Sequence, residues 1–540
     1  MSHKQLLFRA EAREKLLKGA TTLCDAVRVT LGPRSKSVLI GKKWGRPLVC
    51  NDGVTIAKEV DLKDPEEDLG ARMLREAAER TGDEVGDGTS TATLLAHAIF
   101  ADGVRNVAAG AVAVDLRRGL DRGAKAAIEA LRAMSRPVRT RLEKVQVATI
   151  SAHNDPAMGE LVADAVERVG PEGAITVEEA KSTETSLEVI EGMQFDRGYL
   201  SPYMVTDPER MQVVLENPHI LLYEKRLTLL QEVLPLLEEI AKRREPLVVV
   251  AEDISGDALA ALVVNKVRGV LSCAAVKAPG YGDRRKEILQ DLAVLTGGRL
   301  LAEELGAKVE SVPMADLGRA KRVVIDRDST TVVGGGGSRK AITGRCAEIR
   351  RQIEETTSDY DRERLEERLA KLVGGVAVIR VGAPSESEMK SRKEAFDDAI
   401  SSTKAAVAEG IVPGGGLALL KCIEAVERAE ADSEGDVRTG VRILRRALEA
   451  PARQIAENSA ADGGVVVDRM RAAKENTGFD AAAGQYVDLV KAGIVDPTKV
   501  VRVALENAVS VAGTLLLSEA TLTEIPERTA PTPGAPPEEF

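Results

Sequence analysis

The spacing of apolar residues in the first quarter of the chain is typical of helices. After Pro65 the apolar positions include Leu69, Met73 and Ala77. These positions share one face of an α-helix, because the helix turns every 3.6 residues. We therefore predict that residues 5–133 are mostly helical, starting from a charged helical pattern at the N-terminus.

A strand-like pair interrupts this helical region. Ser37–Ile40 and Leu48–Cys50 are short apolar runs separated by a turn signal at Gly45-Arg46-Pro47. Farther along, Arg136-Pro137-Val138 breaks the helical pattern. The sequence places one boundary near this point.

The middle of the chain changes to short β-branched runs with helical patterns between them. Alternating strands and helices indicate an α/β domain. The predicted strands are Ile175–Val177, Leu187–Ile190, Ile220–Tyr223, Leu247–Val250 and Val270–Val276.

Glycine-rich segments mark the C-terminal end of this α/β region. Gly334–Gly337 reads as a hinge-like connector, and two polar amphipathic helices follow it. Gly374-Gly375 then leads into a strand, Val376–Val381, and back to helical patterns. An α/β middle is thus predicted between two helical arms.

Composition restricts the function. The chain has 540 residues, 44% hydrophobic and 2% aromatic, with a net charge of −10. Few aromatics and a negative charge argue against nucleic-acid and anionic-membrane partners. The five cysteines are unpatterned, as in a reduced cytoplasmic protein, and four dispersed histidines do not suggest a zinc site. No signal peptide is visible, and apolar runs such as Leu247–Ala251 are shorter than a membrane span.

The segment Glu84–Thr93 carries the strongest chemical signal. It combines two glycines, one aspartate and four hydroxyls, and runs directly into an apolar helical pattern. A glycine turn before a helix exposes N–H groups to a phosphate, and Asp87 could hold a metal on that phosphate. Neither a P-loop nor a Rossmann glycine motif occurs in the chain.

Two further aspartates have ordinary interpretations beside functional ones. Asp52 lies in Asn51-Asp52-Gly53, which by itself fits a plain turn. Asp398 by itself fits a solvated helix face. The apolar segments Leu229–Leu237 and Leu259–Asn265 likewise fit helices buried on both sides.

Five segments together resemble a group I chaperonin of the bacterial GroEL type. The resemblance covers the chain to about residue 526, and the segments occur in the family's order. They are Thr30-Leu31-Gly32-Pro33, Asp52-Gly53-Val54-Thr55, Gly86–Thr93, Gly414-Gly415-Gly416 and Asp496-Pro497-Thr498-Lys499.

The resemblance implies an α+β multidomain fold. It places a mainly helical equatorial ATP-binding domain in residues 1–133 and 409–526. A small α/β intermediate hinge domain would take 134–190 and 377–408, and an α/β apical domain 191–376. The Pro-rich residues 527–540 are expected to be a disordered tail.

The resemblance also implies an ATPase that binds ATP and Mg²⁺, with K⁺ as a further candidate cation. Asp87 would be the metal ligand, and Asp52 and Asp398 would position the attacking water. Nucleotide contacts are implied for Thr30, Leu31, Gly32, Pro33, Asn51, Asp87, Gly88, Thr89, Ser90, Thr91, Gly415, Asp480, Ala481, Ala482 and Asp496.

An apolar apical surface is the third implication. It would bind non-native polypeptide clients and a small co-chaperonin ring of the GroES type. Fourteen identical subunits would form two seven-membered rings. The implied surface residues are Tyr199, Tyr203, Met204, Leu234, Leu237, Leu259, Val263 and Val264.

Several positions depart from the family pattern. Asn51 stands where lysine is usual, Asp480 replaces asparagine, and a Pro-rich end replaces the usual Gly-Gly-Met tail. Ser90 and Met204 replace threonine and phenylalanine and keep a hydroxyl and an apolar side chain. These changes leave open a paralogue that mainly holds particular clients. A metabolic phosphotransferase is a third alternative, which rests on the glycine-rich signal alone.

Overall fold

The chain forms two compact units in the computed structural model, which describes residues 4–41, 47–170, 173–180, 182–208, 210–302, 309–356 and 358–524. Unit 1 comprises Met1–Ala163 and Ala383–Phe540, and unit 2 comprises Asp164–Gly382. The division falls inside helix Pro156–Val169. The three-domain boundaries stay a prediction, and the predicted tail lies outside the described residues.

Unit 1 is mainly helical, as predicted. Its strands are short: Lys4–Phe8, Val38–Ile40, Leu48–Cys50, Ile411–Pro413, Thr477–Asp480, Gln485–Asp488, Val495–Pro497 and Ala520–Glu524. Its helices are Arg9–Val27, Gly53–Lys58, Pro65–Val85, Thr89–Ala108, Ala113–Met134, Arg141–Ser151, Glu386–Glu409, Leu417–Ala431, Gly435–Ala447, Ala450–Asn458, Gly463–Ala472 and Thr498–Leu517.

Local sequence signals define the helix that leads into the candidate site. Asp64 caps helix Pro65–Val85 by accepting hydrogen bonds from the N–H groups of Glu66 and Glu67, at 3.1 and 3.2 Å. Proline suits the first position, since its missing N–H would have no partner there. The helix ends at Gly86 in the left-handed conformation.

Both ends of the described chain meet in unit 1. Lys4–Phe8 pairs antiparallel with Ala520–Glu524, with Lys4 opposite Glu524. The prediction of a helical N-terminus is therefore wrong for these residues. A strand pair across the whole chain leaves no local pattern, so the sequence could not indicate it.

Helix Thr498–Leu517 combines length with high hydropathy. Its 20 residues are apolar enough to cross a membrane by length and composition alone, although Lys499, Arg502 and Glu506 interrupt its apolar runs. Of its most apolar window, 67% is buried inside the chain. Burial of that kind is typical of a core helix.

Unit 2 is an α/β structure, as predicted. In its described part, one mixed sheet has the path Cys273–Lys277, Leu247–Ile254, His219–Leu227, Gly318–Ile325, Thr330–Gly335 and Gly192–Phe195. Strand Leu300–Leu301 pairs with His219–Leu227, and Val213–Glu216 pairs with Gly318–Ile325. A smaller sheet has the order Ala174–Glu179, Val376–Val381, Ser186–Ile190. The helices are Leu230–Arg243, Gly256–Val267, Gly282–Thr296, Arg339–Glu355 and Asp359–Gly374.

Glycines 334–337 do not form a hinge. Gly334 and Gly335 belong to strand Thr330–Gly335, and the N–H of Gly337 donates to the carbonyl of Leu295 at 2.8 Å. A Cβ on Gly337 would lie 2.0 Å from the carbonyl oxygen of Val294. These glycines therefore allow close packing of backbone against backbone.

Candidate nucleotide site

Asp87 lies between two left-handed glycines. Gly86 has φ of 68° and Gly88 has φ of 79°, a region that residues with a Cβ rarely adopt. Gly88 is the N-cap of helix Thr89–Ala108, and no side chain caps this helix. The first N–H groups of the helix therefore remain available to an anion.

The Asp87 carboxylate is held by three donors. Its Oδ1 accepts from the N–H of Gly88 at 2.5 Å. Its Oδ2 accepts from the hydroxyls of Ser151 and Ser402, at 2.8 and 2.6 Å. The two serines lie 64 and 315 positions away in the sequence, and neither belongs to a glycine motif. Neither serine could be predicted from the sequence for that reason.

The segment Thr30–Pro33 lies against the start of the same helix. The Thr30 and Ser90 hydroxyl oxygens are 3.0 Å apart. The Asp52 loop also approaches closely, because a Cβ on Gly53 would lie 2.3 Å from the Ser90 Oγ. Three predicted segments, distant in sequence, thus meet around Ser90.

Asn458 supports this loop and was not predicted. Its amide nitrogen donates to the carbonyls of Arg28 and Leu31, at 2.9 and 2.8 Å. Gln454 in turn donates to the Asn458 side-chain oxygen at 2.9 Å. Asn458 is the last residue of helix Ala450–Asn458. The motif Thr30–Pro33 does not indicate which distant residue supports it, so Asn458 could not be predicted.

Asp52 combines a structural role with its place in the site. It caps helix Gly53–Lys58, accepting from the N–H of Val54 at 3.3 Å and of Thr55 at 2.8 Å. Its local geometry is therefore that of a helix N-cap, where the sequence by itself fits a plain turn. Its charge nevertheless acts on Asp398.

Asp398 lies on helix Glu386–Glu409, half-buried among other carboxylates. Burial raises the pKa of its carboxyl well above the usual range, and the charges of Asp87 and Asp52 raise it further. Its half-buried position differs from the fully solvated helix face that the sequence by itself fits.

Asp496 approaches from another direction. Strand Val495–Pro497 pairs with Ile411–Pro413, and Asp496 lies opposite Val412. Gly415 lies in the turn that follows strand Ile411–Pro413. Burial, and then the charge of Asp87, raise the pKa of Asp496 to about 7. Asp87 is the common neighbour of both shifted carboxyls.

The predicted adenine segment is the tip of a hairpin. Strands Thr477–Asp480 and Gln485–Asp488 pair, and the Asp480 carboxylate accepts from the N–H of Ala482 at 2.9 Å. Ala481 is buried, whereas Ala482 is exposed. Arg34 donates to the Ala482 carbonyl at 2.8 Å, which joins the tip to the segment after Pro33.

The predicted client surface in unit 2 is only partly exposed. Tyr203, Leu234 and Val264 are exposed, at 71%, 41% and 44%. Tyr199, Leu259 and Val263 are partly buried against the core of the unit. Met204 and Leu237 are buried, with exposures of 0% and 4%, so neither presents a surface as expected.

Packing explains the two buried residues. The Met204 sulfur accepts a hydrogen bond at 3.2 Å from the N–H of Ala275, in strand Cys273–Lys277. Leu237 follows Val233 by four residues on helix Leu230–Arg243, and both face the core. Leu234 lies one position after Val233 and faces solvent. The client-binding role of the whole set stays a prediction.

The donor set fits a metal that is bound together with phosphate. Among the described residues, no group of three His, Cys, Asp or Glu side chains could hold a metal by itself. Asp87 supplies one carboxylate beside the uncapped helix start. Mg²⁺ is commonly bound in this way, by one or two carboxylates plus phosphates and water.

The chain matches the model of the TCP-1/cpn60 chaperonin family over residues 23–526. It therefore belongs to this family, as a bacterial group I chaperonin that acts in protein folding. Chaperonin GroEL 5 of Bradyrhizobium diazoefficiens (strain JCM 10833 / BCRC 13528 / IAM 13628 / NBRC 14792 / USDA 110) is 68% identical to it over 527 residues. That alignment covers 98% of this chain and 97% of the relative.

Proposed function

We propose that this protein is an ATP-dependent chaperonin of the cytoplasm. It captures non-native polypeptides on an apolar surface of unit 2 and encloses them with a co-chaperonin ring. Fourteen subunits in two seven-membered rings carry out this cycle, which ATP hydrolysis drives. The observation that supports the proposal most is the meeting of Asp52, Asp87 and Asp398 beside an uncapped helix start.

Nucleotide binding would use backbone and hydroxyl groups. The N–H groups of Thr89, Ser90 and Thr91, with the hydroxyls of Thr89 and Thr91, would bind phosphate oxygens at the positive end of the helix dipole. The Thr30–Pro33 segment would cover the phosphates from the other side. Gly415, Asp496 and the hairpin tip Asp480–Ala482 would contact ribose and adenine.

The carboxylates would have two separate roles, metal binding and orientation of the attacking water. Asp87 would hold Mg²⁺, which when bound supplies positive charge to the phosphates. Asp52 and Asp398 would accept hydrogen bonds from the attacking water and orient it. Phosphoryl transfer depends mainly on such positioning and on charge neutralisation.

Client binding would use the exposed apolar side chains of unit 2. Tyr203, Leu234 and Val264 can bury apolar area against a non-native chain, which contributes about 25 cal/mol per Å². Several subunits acting on one client would multiply the effect. ATP could release the client only by favouring a state in which this surface binds less well.

Refolding of a denatured test enzyme examines the proposal. Recovery of activity that needs ATP, Mg²⁺ and a GroES-type co-chaperonin would support it. The alternative is a paralogue that mainly holds clients, which the departures at Asn51 and Asp480 leave open. Such a holder would suppress aggregation without returning activity, whatever nucleotide is added.

A further inference from the structure

Ser402 makes an unusual contact for a helical serine. It is fully buried on helix Glu386–Glu409, and its hydroxyl donates to the Asp87 Oδ2 at 2.6 Å. Ser151, from helix Arg141–Ser151, donates to the same oxygen at 2.8 Å. Two helices therefore place a donor on one oxygen of one carboxylate.

The neighbouring residue shows what a helical hydroxyl ordinarily does. Thr403 is also fully buried, and its hydroxyl donates at 2.6 Å to the Ala399 carbonyl, four residues earlier. Ser402 instead bonds to a residue 315 positions away. Thr403 thus provides a matched control one position along the chain.

The hydrogen bonds distinguish the two oxygens of Asp87. Each carboxylate oxygen has about two acceptor positions. Ser151 and Ser402 fill both positions on Oδ2, whereas the Gly88 N–H fills one on Oδ1. Only Oδ1 keeps an acceptor position for a cation.

We propose that Ser151 and Ser402 are positioning residues that make Asp87 a one-oxygen metal ligand through Oδ1. This inference rests on the proposed function of Asp87 as the ligand of Mg²⁺. Ser402 lies one helical turn after Asp398 on the same helix. The Ser402–Asp87 hydrogen bond therefore also fixes the helix of the water-positioning carboxylate relative to the metal ligand.

The test measures metal binding apart from turnover. Full-length protein saturated with ADP is titrated with Mn²⁺, and bound metal is followed by electron paramagnetic resonance. Ser402→Ala and Ser151→Ala should each weaken Mn²⁺ binding about 10-fold, as is common when a partner of a metal ligand is lost. Ser402→Thr, which keeps the hydroxyl, should restore most of the affinity. Thr403→Val should stay within about twofold of the wild type.

Three outcomes separate the inference from the function it rests on. ADP affinity measured in EDTA should be unchanged in both serine variants, which also shows that the site is folded. Mn²⁺ affinity equal to wild type in Ser402→Ala and Ser151→Ala, with loss in Asp87→Ala, would overturn the positioning role alone. Unchanged affinity in Asp87→Ala would instead overturn the assignment of Asp87 as the ligand.

Discussion

The hydroxyl oxygens of Thr30 and Ser90 lie 3.0 Å apart, although the residues are 60 positions apart in the sequence. Thr30 donates its own proton to the Val27 carbonyl at 2.8 Å. Ser90 must therefore be the donor between the two hydroxyls. This bond joins the segment before Pro33 to the start of the helix that follows Asp87.

Asp398→Ala should bind ATP with near-normal affinity and hydrolyse it about 100-fold more slowly, the lower range for loss of one acid–base group. Removing the carboxylate takes away an acceptor for the water and leaves the phosphate-binding N–H groups intact. Single-turnover hydrolysis measures the rate, and a fluorescent nucleotide measures binding. Asp432→Ala, an exposed acid elsewhere in unit 1, is the control. Unchanged hydrolysis in Asp398→Ala would remove this residue from the mechanism.

Asp496 should make the nucleotide-free protein less stable as pH rises. Its pKa is about 7 in the folded chain, against an ordinary value of 3.8. Below the lower value both states are protonated and the group costs nothing. Between the two values the unfolded state releases its proton first, so the free energy of unfolding falls.

Asp496→Asn should remove this loss. Relative to wild type, the variant should gain roughly 1–4 kcal/mol between about pH 4 and pH 8, since one pKa unit corresponds to about 1.4 kcal/mol. Denaturant titrations at several pH values measure the difference. A stability gap that does not change with pH would contradict the raised pKa.

Leu234→Glu should abolish capture of an unfolded client and leave basal ATPase unchanged. Leu234 is 41% exposed, so a carboxylate there is tolerated by the fold but opposes apolar contact. Val373→Glu, at an exposed site on helix Asp359–Gly374, is the matched control. Light scattering of an aggregating client reports capture. If both variants protect the client equally well, the Leu234 surface is not the binding site.

Gly86→Ala should disrupt the Asp87 turn. The new Cβ would lie 2.4 Å from the Cβ of Ser401, in addition to the strain at φ of 68°. Gly484→Ala carries a similar φ, 73°, with nothing within 4 Å. The control should lose only about 1–2 kcal/mol. Gly86→Ala should lose more and should also lose nucleotide binding, and equal effects on both counts would contradict the close packing.

Asp291→Asn should destabilise unit 2 by about 3–5 kcal/mol, the usual cost of breaking a buried ion pair. Asp291 is fully buried, and Arg345 and Arg368 donate to it at 2.7 and 2.8 Å. Glu348→Gln removes a half-exposed partner of Arg345 and should cost under about 1 kcal/mol. Chemical denaturation compares the two. Similar losses would show that the buried carboxylate is not the centre of this cluster.

Sequence alone predicted the parts of the site that carry their own local signal. The turn at Gly86–Gly88 and the hydroxyls that follow it could be predicted because glycine patterns act over a few residues. The strand pair Val38–Ile40 with Leu48–Cys50 could be predicted from two short apolar runs around a turn signal. The α/β character of unit 2 was predicted for the same reason.

Residues that act from a distance could not be predicted. Ser151, Ser402 and Asn458 have ordinary helical surroundings in the sequence, and only the fold brings them to the site. The burial of Met204 and Leu237 likewise depends on which side of each helical element faces the core. An apolar residue in the sequence fits both a core and a binding surface.

The pairing of Lys4–Phe8 with Ala520–Glu524 has a consequence for biosynthesis. A ribosome makes Ala520–Glu524 about 30 seconds to two minutes after Lys4–Phe8, at 5–20 residues per second. Residues 164–382 form one continuous segment, so all residues of unit 2 are synthesised much earlier. We therefore expect unit 2 to fold first during translation. Until residues 383–524 are made, apolar residues of the first arm such as Leu23 and Phe100 lack the later part of their core. We therefore expect this chaperonin to expose apolar surface of its own during much of its synthesis.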